Sequence, residues 1–384
     1  MSETAAQDVV ARATEVARDV ARSHAESVDR DARFPIEAVE AMRESGLLGA
    51  IVPREWGGSG ARLPELAAAV RIMATECASS ALVLAMHLIE AFNLVRHGDS
   101  DALRDITSRV GQGTMLLANA NSEVGGGGDV SRSKSFLGGD SSPWTWEKEC
   151  LAISYGVYAD AILSMARRSE TAPDTDMVYV LVEKADYDLQ PTSEWDTLGL
   201  RGTCSRGYHV RAQVRDELIF PVPFSTVAND GAGQMRQLIL SAVWVGLAEA
   251  ALDRAHAFVR ASARKAIGTV PPGALRVSEL AGDVQACRSL LETAANRLDS
   301  LRDAGSLENG VMTIQLRNLK VTTSKLAAKV ATGSLEVVGI MGMKRDGPFS
   351  VERIVRDAHG GLVMVSNDRF LHDNAQFLLV AKEI

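Results

Sequence analysis

The sequence is poor in several residue types, and each shortage excludes a class of protein. Its 4 cysteines are widely separated and form no C-x-x-C pair or Cys/His cluster, so neither a disulfide framework nor a metal site is expected. Basic residues (41) are fewer than acidic residues (49) and form no basic stripe, which argues against a nucleic-acid partner. Aromatic residues make up only 5% of the chain, which favours a core of Ala, Leu and Val in amphipathic helices.

A signal peptide or membrane span is not expected either. The N-terminal stretch MSETAAQDVVARATEVARDVARSHAE is charged throughout and lacks an apolar region. Apolar stretches elsewhere are interrupted by charge within about a dozen residues, fewer than the ~20 that cross a bilayer. With 46% apolar and 23% charged residues, the composition is that of an ordinary globular enzyme. A soluble cytoplasmic protein is therefore expected.

The hydrophobic pattern divides the chain into three parts. Residues 1–114 predict a helical domain, because apolar residues recur at three- and four-residue spacing. Residues 115–228 predict a β-domain, because glycines cluster and short apolar or alternating runs are bounded by turn residues. Residues 229–384 return to long helical patterns. The predicted strands are 150–156, 161–168, 177–184 and 208–214, and the predicted helices include a pair within 63–98 separated near 78–80, then 234–265, 277–304, 311–339 and 369 to the end.

Five motifs follow one another along the chain. They are FPIEAVEAMRESGLLGAIVPREWGGSG (34–60), SEVGGGGD (122–129), WDTLGLRGTCS (195–205), ARKAIG (263–268) and FSVERIVRDA (349–358). Together they resemble signatures of the acyl-CoA dehydrogenase superfamily, and the likeness covers essentially the whole chain. The resemblance implies a mainly α fold with a β-barrel-like middle domain and a C-terminal four-helix bundle. It also implies FAD bound between the β-domain and the bundle, an acyl thioester of CoA or a carrier protein as substrate, and a homodimer or homotetramer.

The resemblance assigns residues to the flavin site. A run of four glycines lets backbone amides approach a ligand closely, and Gly127 belongs to this loop. Beside it, Asn121 and Ser122 are expected to bind the pyrimidine edge of the flavin. Ser154 is expected near flavin N5, and Ala152 stands where a stacking Trp is usual. A ligand-free surface hairpin and an ordinary strand end are the alternatives for these two segments.

Residues of the C-terminal part are expected to complete the flavin site. Arg264 matches the arginine that reaches the FAD pyrophosphate of a neighbouring subunit, a task that suits the fixed fork of a guanidinium. Ile267, Gly339 and Asn367 are the other expected cofactor contacts. Glu336 replaces the family's Gln, and a carboxylate would be repelled by a pyrophosphate. The charged residues of the last motif are expected to secure the bundle instead: Glu352, Arg356 and Asp357.

The residue that the family's desaturation chemistry needs is missing. Removing the weakly acidic α-proton of an acyl thioester, while hydride leaves for the flavin, requires a positioned carboxylate. In the commonest members this Glu lies nine residues beyond the Arg of the R-D-A signature, where Val365 stands here. In others it lies at the start of the C-terminal domain, where the matching residues are Arg236 and Gln237.

Other titratable residues are candidates to replace that Glu. His87 and Asp368 are the candidate catalytic residues, although a core histidine is the more usual interpretation of His87; Glu123 and His359 are further possibilities. The missing Glu and the space beside Ala152 favour a flavin monooxygenase that uses O2. Two alternatives stay open: α,β-desaturation with a relocated base, and a non-catalytic subunit of a hetero-oligomer.

Overall fold

The computed structural model describes residues 3–126, 129–265 and 267–379. Its N-terminal part is helical, as predicted. The helices are α1 (Glu3–Glu15), α2 (Arg22–Arg30), α3 (Ile36–Glu44), α4 (Leu63–Glu76), α5 (Ala78–His97) and α6 (Asp101–Gly111). The break between α4 and α5 falls at Cys77 rather than near 78–80, because Cys77 has an extended backbone (φ −147°, ψ 108°). Most side chains of α5 are buried, so this helix lies at the centre of the N-terminal part.

The middle part contains two four-stranded sheets. The strands are β1 (Leu117–Asn119), β2 (Leu137–Gly138), β3 (Trp144–Cys150), β4 (Ala161–Arg167), β5 (Met177–Glu183), β6 (Tyr187–Pro191), β7 (Tyr208–Val214) and β8 (Ile219–Pro223). One sheet has the order β1-β4-β5-β8 and the other β2-β3-β7-β6. β1 and β4 are parallel, and the other paired strands are antiparallel. Three predicted strands are confirmed, as β4, β5 and β7.

The strand predicted at 150–156 is wrong. β3 ends at Cys150, and the chain then turns, with Tyr155 in the left-handed region (φ +44°) before a short 3-10 turn at Gly156–Tyr158. β3 could not be predicted from the sequence, because the charged residue Lys148 occupies one of its buried positions. Lys148 is buried, and its Nζ donates to a hydroxyl and a carbonyl of β4 at 3.1 and 3.3 Å.

The C-terminal part is a bundle of long helices. These helices and the short ones between them are α7 (Phe224–Val227), α8 (Gly233–Lys265), α9 (Ala274–Asp303), α10 (Gly310–Val338), α11 (Ile340–Met343), α12 (Glu352–Val363) and α13 (Asn367–Leu378). α10 packs against α8, α9, α12 and α13, and α4 of the N-terminal part lies against α8. The predicted fold class, mainly α with a middle β-domain, is therefore confirmed. One hydrophobic cluster runs from Val9 to Ala358 through all three parts, so the domain boundaries at 114 and 228 stay a prediction.

The last motif ties α12 to the rest of the protein. Arg356 donates to Asp29 and to Glu352, each at 2.8 Å. Asp357 is buried and accepts from the Leu200 N–H at 2.6 Å. Burial raises the pKa of Asp357 to about 6. These contacts agree with the structural role expected for this motif.

Two helical segments are long and apolar enough to cross a membrane, contrary to the estimate from the sequence. They are Ala78–His97 and Phe224–Lys265, the second of which joins α7 to α8. Their charged residues are spaced widely enough to leave an apolar window of 18 residues in each. In the structure 89% of each window is buried inside the protein, so the apolar surface of these helices belongs to the core.

Candidate active site

A cavity of about 940 Å³ opens where the middle part meets the bundle. Its walls come from the loop 129–131 and the adjoining start of β5, the α7–α8 junction, the first turns of α10, and α13 with the loop before it. Apolar side chains cover much of the wall, among them Met177, Phe224, Ile314, Phe370 and Phe377. Polar and charged side chains line it as well, so the cavity combines apolar and polar surface.

Both positions at which the family resemblance places a catalytic Glu belong to this wall. Val365 lies just before α13, and Arg236 and Gln237 lie in the first turns of α8. One is a hydrocarbon, one a cation and one a neutral amide. The carboxylate missing from the sequence motifs is therefore also missing from these places in the cavity.

A buried lysine holds Val365 in an uncommon conformation. The φ of Val365, +54°, lies in the left-handed region that β-branched residues rarely adopt. Lys320 of α10 donates from Nζ to the Val365 carbonyl at 2.6 Å, to the Gly361 carbonyl at 3.0 Å and to Asn367 Oδ1 at 2.7 Å. Burial and the nearby Arg369 lower the pKa of Lys320 to about 8. The sequence carried no signal for this anchor, because a helical lysine is normally exposed.

Three carboxylates among the described residues line the cavity, and none is arranged as a strong base. Burial acts to raise the pKa of Asp129, but hydrogen bonds from Ser131, one of them from its N–H at 2.8 Å, and nearby arginines outweigh it, so the pKa is lowered. Asp373 lies 3.6 Å from Arg317, and Glu308 is exposed. A lowered pKa weakens a carboxylate as a proton acceptor. The described residues also contain no group of three His, Cys, Asp or Glu placed to hold a metal ion.

Three arginines from different helices line the same cavity. They are Arg236 of α8, Arg317 of α10 and Arg369 of α13. Burial lowers the pKa of Arg369, and the charges of Arg236 and Arg317 lower it further, against a partial offset from nearby carboxylates. Within the described ranges, Arg236 has no hydrogen bond or ion pair, and the side-chain oxygen of Gln237 is buried without a hydrogen-bond partner. The sequence identified these two residues only as the wrong types for a base.

The two loops expected to hold the flavin ring lie against each other. Ser122 Oγ donates to the Ala152 carbonyl at 2.6 Å and accepts from the Ala152 N–H at 3.1 Å. The Asn121 side chain is buried, and its Oδ1 accepts from the Met165 N–H at 3.0 Å. Ser154 Oγ lies 2.8 Å from a second serine hydroxyl, in the loop before β7. The structure thus places Asn121 against β4 and Ser122 against the loop that contains Ser154, while the roles of these residues toward a flavin stay a prediction.

Neither these three residues nor the other expected cofactor residues that the structure describes line the cavity. Arg264 and Ile267 are exposed at the C-terminal end of α8, Ile267 by 93%. Gly339 follows α10 with a φ of +68° and has open space where a Cβ would stand. Asn367 is buried and bonded to the lysine anchor. Gly127 lies outside the described residues.

The candidate replacement bases do not line the cavity. His87 is fully buried in α5, where Nε2 donates to the Leu48 carbonyl at 2.8 Å and Nδ1 accepts from the Leu117 N–H at 3.0 Å. Burial lowers the pKa of His87 to about 4, in agreement with a core histidine. Asp368 is exposed. The two further titratable residues also bond to neighbouring chain groups: Glu123 and His359.

A buried carboxyl group behind the wall was missed by sequence reasoning. Glu90 of α5 is fully buried and accepts from Tyr179 Oη at 2.6 Å, Asn119 Nδ2 at 2.7 Å and Asn93 Nδ2 at 3.0 Å. Burial raises the pKa of Glu90, against the opposing effects of these hydrogen bonds and of the nearby charge of Arg236. The Tyr179 ring lies 5.2 Å from the ring of Phe224, which lines the cavity. The available signal was a lone glutamate on an otherwise apolar helix.

Comparison with known proteins gives consistent matches along the chain. Residues 3–129 match the family described as acyl-CoA dehydrogenase, N-terminal domain, and residues 226–363 match its C-terminal domain. The cyclohex-1-ene-1-carbonyl-CoA dehydrogenase of Syntrophus aciditrophicus is 26% identical over 346 residues, which cover 86% of this chain and 79% of that protein.

Solved structures show the same fold with different activities. Dibenzothiophene monooxygenase from Paenibacillus has a TM-score of 0.81 at 21% identity, covering 97% of this chain and 96% of that one. Butyryl-CoA dehydrogenase from Megasphaera elsdenii has a TM-score of 0.83 at 19% identity, covering 99% of both chains. Because a monooxygenase and a dehydrogenase share this fold, the reaction has to be argued from the cavity.

Proposed function

Because the chain belongs to the acyl-CoA dehydrogenase family, we propose that it is an FAD-dependent oxidoreductase that acts as an O2-using monooxygenase on an acyl thioester of CoA or a carrier protein. The observation that carries this proposal is the cavity wall, where the two places expected to hold a catalytic Glu hold Val365 and Arg236. Neither can accept an α-proton, because one side chain is a hydrocarbon and the other stays a cation.

The cavity offers space and an unpaired polar group to a ligand. Its volume of about 940 Å³ suits a large ligand, and the buried side-chain oxygen of Gln237 needs a donor that the described protein residues do not supply. The glycine-rich loop leads directly to Asp129 in the wall. When bound, the flavin supplies two-electron redox chemistry and the reaction with O2.

The chain's own residues then bind, orient and shield the reactants. Phe224, Phe370 and Phe377 give the wall apolar surface beside the reactants, and exclusion of water there protects reactive species from hydrolysis. Arg236 offers a fixed positive charge to oxygen atoms of the substrate. Lys320 fixes the loop at Val365, so that this wall keeps its shape.

The alternative is α,β-desaturation with a relocated base. It is favoured by the relative named as a dehydrogenase and by the presence of Asp129 and Asp373 in the wall. Against it, the pKa of Asp129 is lowered, which makes this carboxylate a poor proton acceptor. Asp373 lies 3.6 Å from Arg317.

Labelled oxygen separates the two reactions. The full-length protein is loaded with FAD, chemically reduced, and mixed with isotopically labelled O2 and a set of acyl thioesters. Monooxygenation is expected to place one labelled oxygen atom in the product. An unsaturated product without label would support the alternative, and a protein that takes up no flavin would instead support the non-catalytic subunit.

The assembly proposed with this function is a cytoplasmic homodimer or homotetramer in which Arg264 reaches the flavin of a neighbouring subunit. Large exposed apolar side chains near this end of the bundle support it: Ile267, Val270, Leu275, Ile340 and Met343. Such side chains together favour contact with another protein surface. Light scattering is expected to give a mass of two or four chains, and a monomer would contradict the shared flavin site.

A further inference from the structure

We propose that the cavity contains a receptor for an anionic group, built around the guanidinium of Arg236, and that the acyl part of the substrate is an apolar group bearing a carboxylate or phosphate. This inference rests on the proposed function, since it assigns a substrate class to the same cavity. The anionic group is additional to the thioester, whose own carbonyl is neutral.

Among the three arginines that line the cavity, Arg236 is the one without a hydrogen bond or ion pair to the described residues. It lies in the first turns of α8, is half-buried and lines the cavity. Throughout the described ranges it makes no hydrogen bond or ion pair. A guanidinium removed from water without an acceptor is costly, and its fork of donors matches the two oxygens of a carboxylate or phosphate. An anionic ligand would therefore supply the hydrogen-bond acceptors that the described protein residues do not offer to the guanidinium.

The other charges around the cavity are arranged so that Arg236 remains available. Asp373 lies 3.6 Å from Arg317, and Asp129 is bonded to the Ser131 N–H. Glu308 is exposed at the edge. Arg369 adds a further positive charge, and its lowered pKa reports that the fields of Arg236 and Arg317 reach it. Behind the wall, the charge of Arg236 also acts on the buried Glu90 and lowers its pKa. None of these carboxylates forms a hydrogen bond or ion pair with Arg236 among the described residues.

Neighbouring groups define the rest of the ligand. The buried side-chain oxygen of Gln237, next to Arg236, has no partner and requires a hydrogen-bond donor. The apolar wall, with Phe224, Phe370 and Phe377, matches an aliphatic or aromatic body. The matching ligand therefore has an anionic end, a donor close to it and an apolar remainder.

Matched ligands that differ only in charge test this receptor. The FAD-loaded full-length protein is titrated calorimetrically with phenylbutyrate and with its neutral isostere phenylbutyramide; phenyl phosphate in a third arm distinguishes phosphate from carboxylate. The carboxylate or the phosphate is expected to bind about tenfold more tightly than the amide, as a charge-assisted bidentate contact implies. Arg236→Gln is expected to remove this preference, and Arg236→Lys to keep part of it.

Arg254→Gln is the matched control, since Arg254 is exposed on the same helix and lies outside this cavity. It is expected to keep the preference. Equal binding of the acid and the amide by the unmodified protein would overturn the inference, as would a preference that survives in Arg236→Gln. If the protein takes up no flavin, the proposed function fails, and the same titrations on the flavin-free chain still test the receptor. If Arg236→Gln loses only flavin binding, the residue serves the cofactor and the receptor is refuted.

Discussion

Glu90, behind the cavity wall, differs from Arg236 and Gln237, within it, in the partners that the fold provides. Behind the wall, both oxygens of Glu90 accept hydrogen bonds, from Tyr179 and two asparagines. Within it, Arg236 and the side-chain oxygen of Gln237 lack partners among the described residues. Folding alone explains the first arrangement. The second costs stability, which is typical of residues that await a ligand.

The largest effect on stability is expected at Glu90, whose two carboxyl oxygens both accept hydrogen bonds. Glu90→Leu leaves the Tyr179 hydroxyl and two asparagine amides buried without their acceptor, so it is expected to cost about 3–5 kcal/mol of unfolding free energy. Urea unfolding measures this change. Glu90→Gln keeps an acceptor oxygen and is expected to cost less. Surface substitutions change the unfolding free energy by up to ~0.5 kcal/mol. A loss smaller than this for Glu90→Leu would contradict the contrast between Glu90 and the residues of the cavity wall.

His87, which lies close to Glu90 on α5 and has both ring nitrogens hydrogen-bonded, is expected to make the stability of the protein depend on pH. Its pKa is about 4 in the folded protein against 6.5 normally, so the unfolded chain binds more protons between these values. The stabilising contribution is complete above pH 6.5 and is lost as the pH falls towards 4. The total loss is expected to be about 3 kcal/mol.

His87→Gln removes this titration and supplies the reference. The difference in unfolding free energy between the two proteins, measured by urea at each pH, is expected to shrink in the acid range. Asp357, whose pKa is raised to about 6, acts in the opposite direction but is present in both proteins and cancels. A difference that stays constant with pH would show that His87 is not held neutral.

The lysine anchor is expected to have a smaller effect. Lys320→Met leaves the Val365 and Gly361 carbonyls without their donor, which is expected to cost about 2 kcal/mol and to expose the loop before α13 to proteolysis. Limited proteolysis and urea unfolding measure both effects. Lys325→Met, at an exposed position of the same helix, is the matched control and is expected to change neither. Equal behaviour of the two variants would contradict the anchoring role.

The smallest effect on stability is expected at Gln237, and a substitution of the neighbouring Gln234 serves as the comparison. Gln237→Met removes an oxygen that has no partner, so stability is expected to stay unchanged or rise by up to about 1 kcal/mol. Gln234, one turn earlier on α8, donates to two carbonyls at 2.6 and 3.1 Å. Gln234→Met is therefore expected to destabilise the protein by about 1–3 kcal/mol. A comparable loss in both variants would show that Gln237 is satisfied.

The sequence was sufficient for the features that depend on local pattern. The motifs predicted the family and the order of helical and β parts, and the spacing from Arg356 located Val365 in what proved to be the cavity wall. The sequence does not predict the burial of Lys148, Lys320 and Glu90, because each of these charged residues is covered by segments that are distant in the chain. Whether Arg236 has an ion-pair partner likewise depends on where other elements of the fold place the carboxylates of the cavity.

Anaerobic mixing tests the central claim, that no base in the cavity removes an α-proton. The FAD-loaded protein and its Val365→Glu variant are each mixed with the acyl thioesters without O2, and the visible flavin absorption is followed. The unmodified protein is expected to keep its absorption, while Val365→Glu, with a carboxylate restored at the position the family uses, is expected to gain reduction of the flavin. Rapid bleaching of the unmodified protein by an acyl thioester would contradict the account.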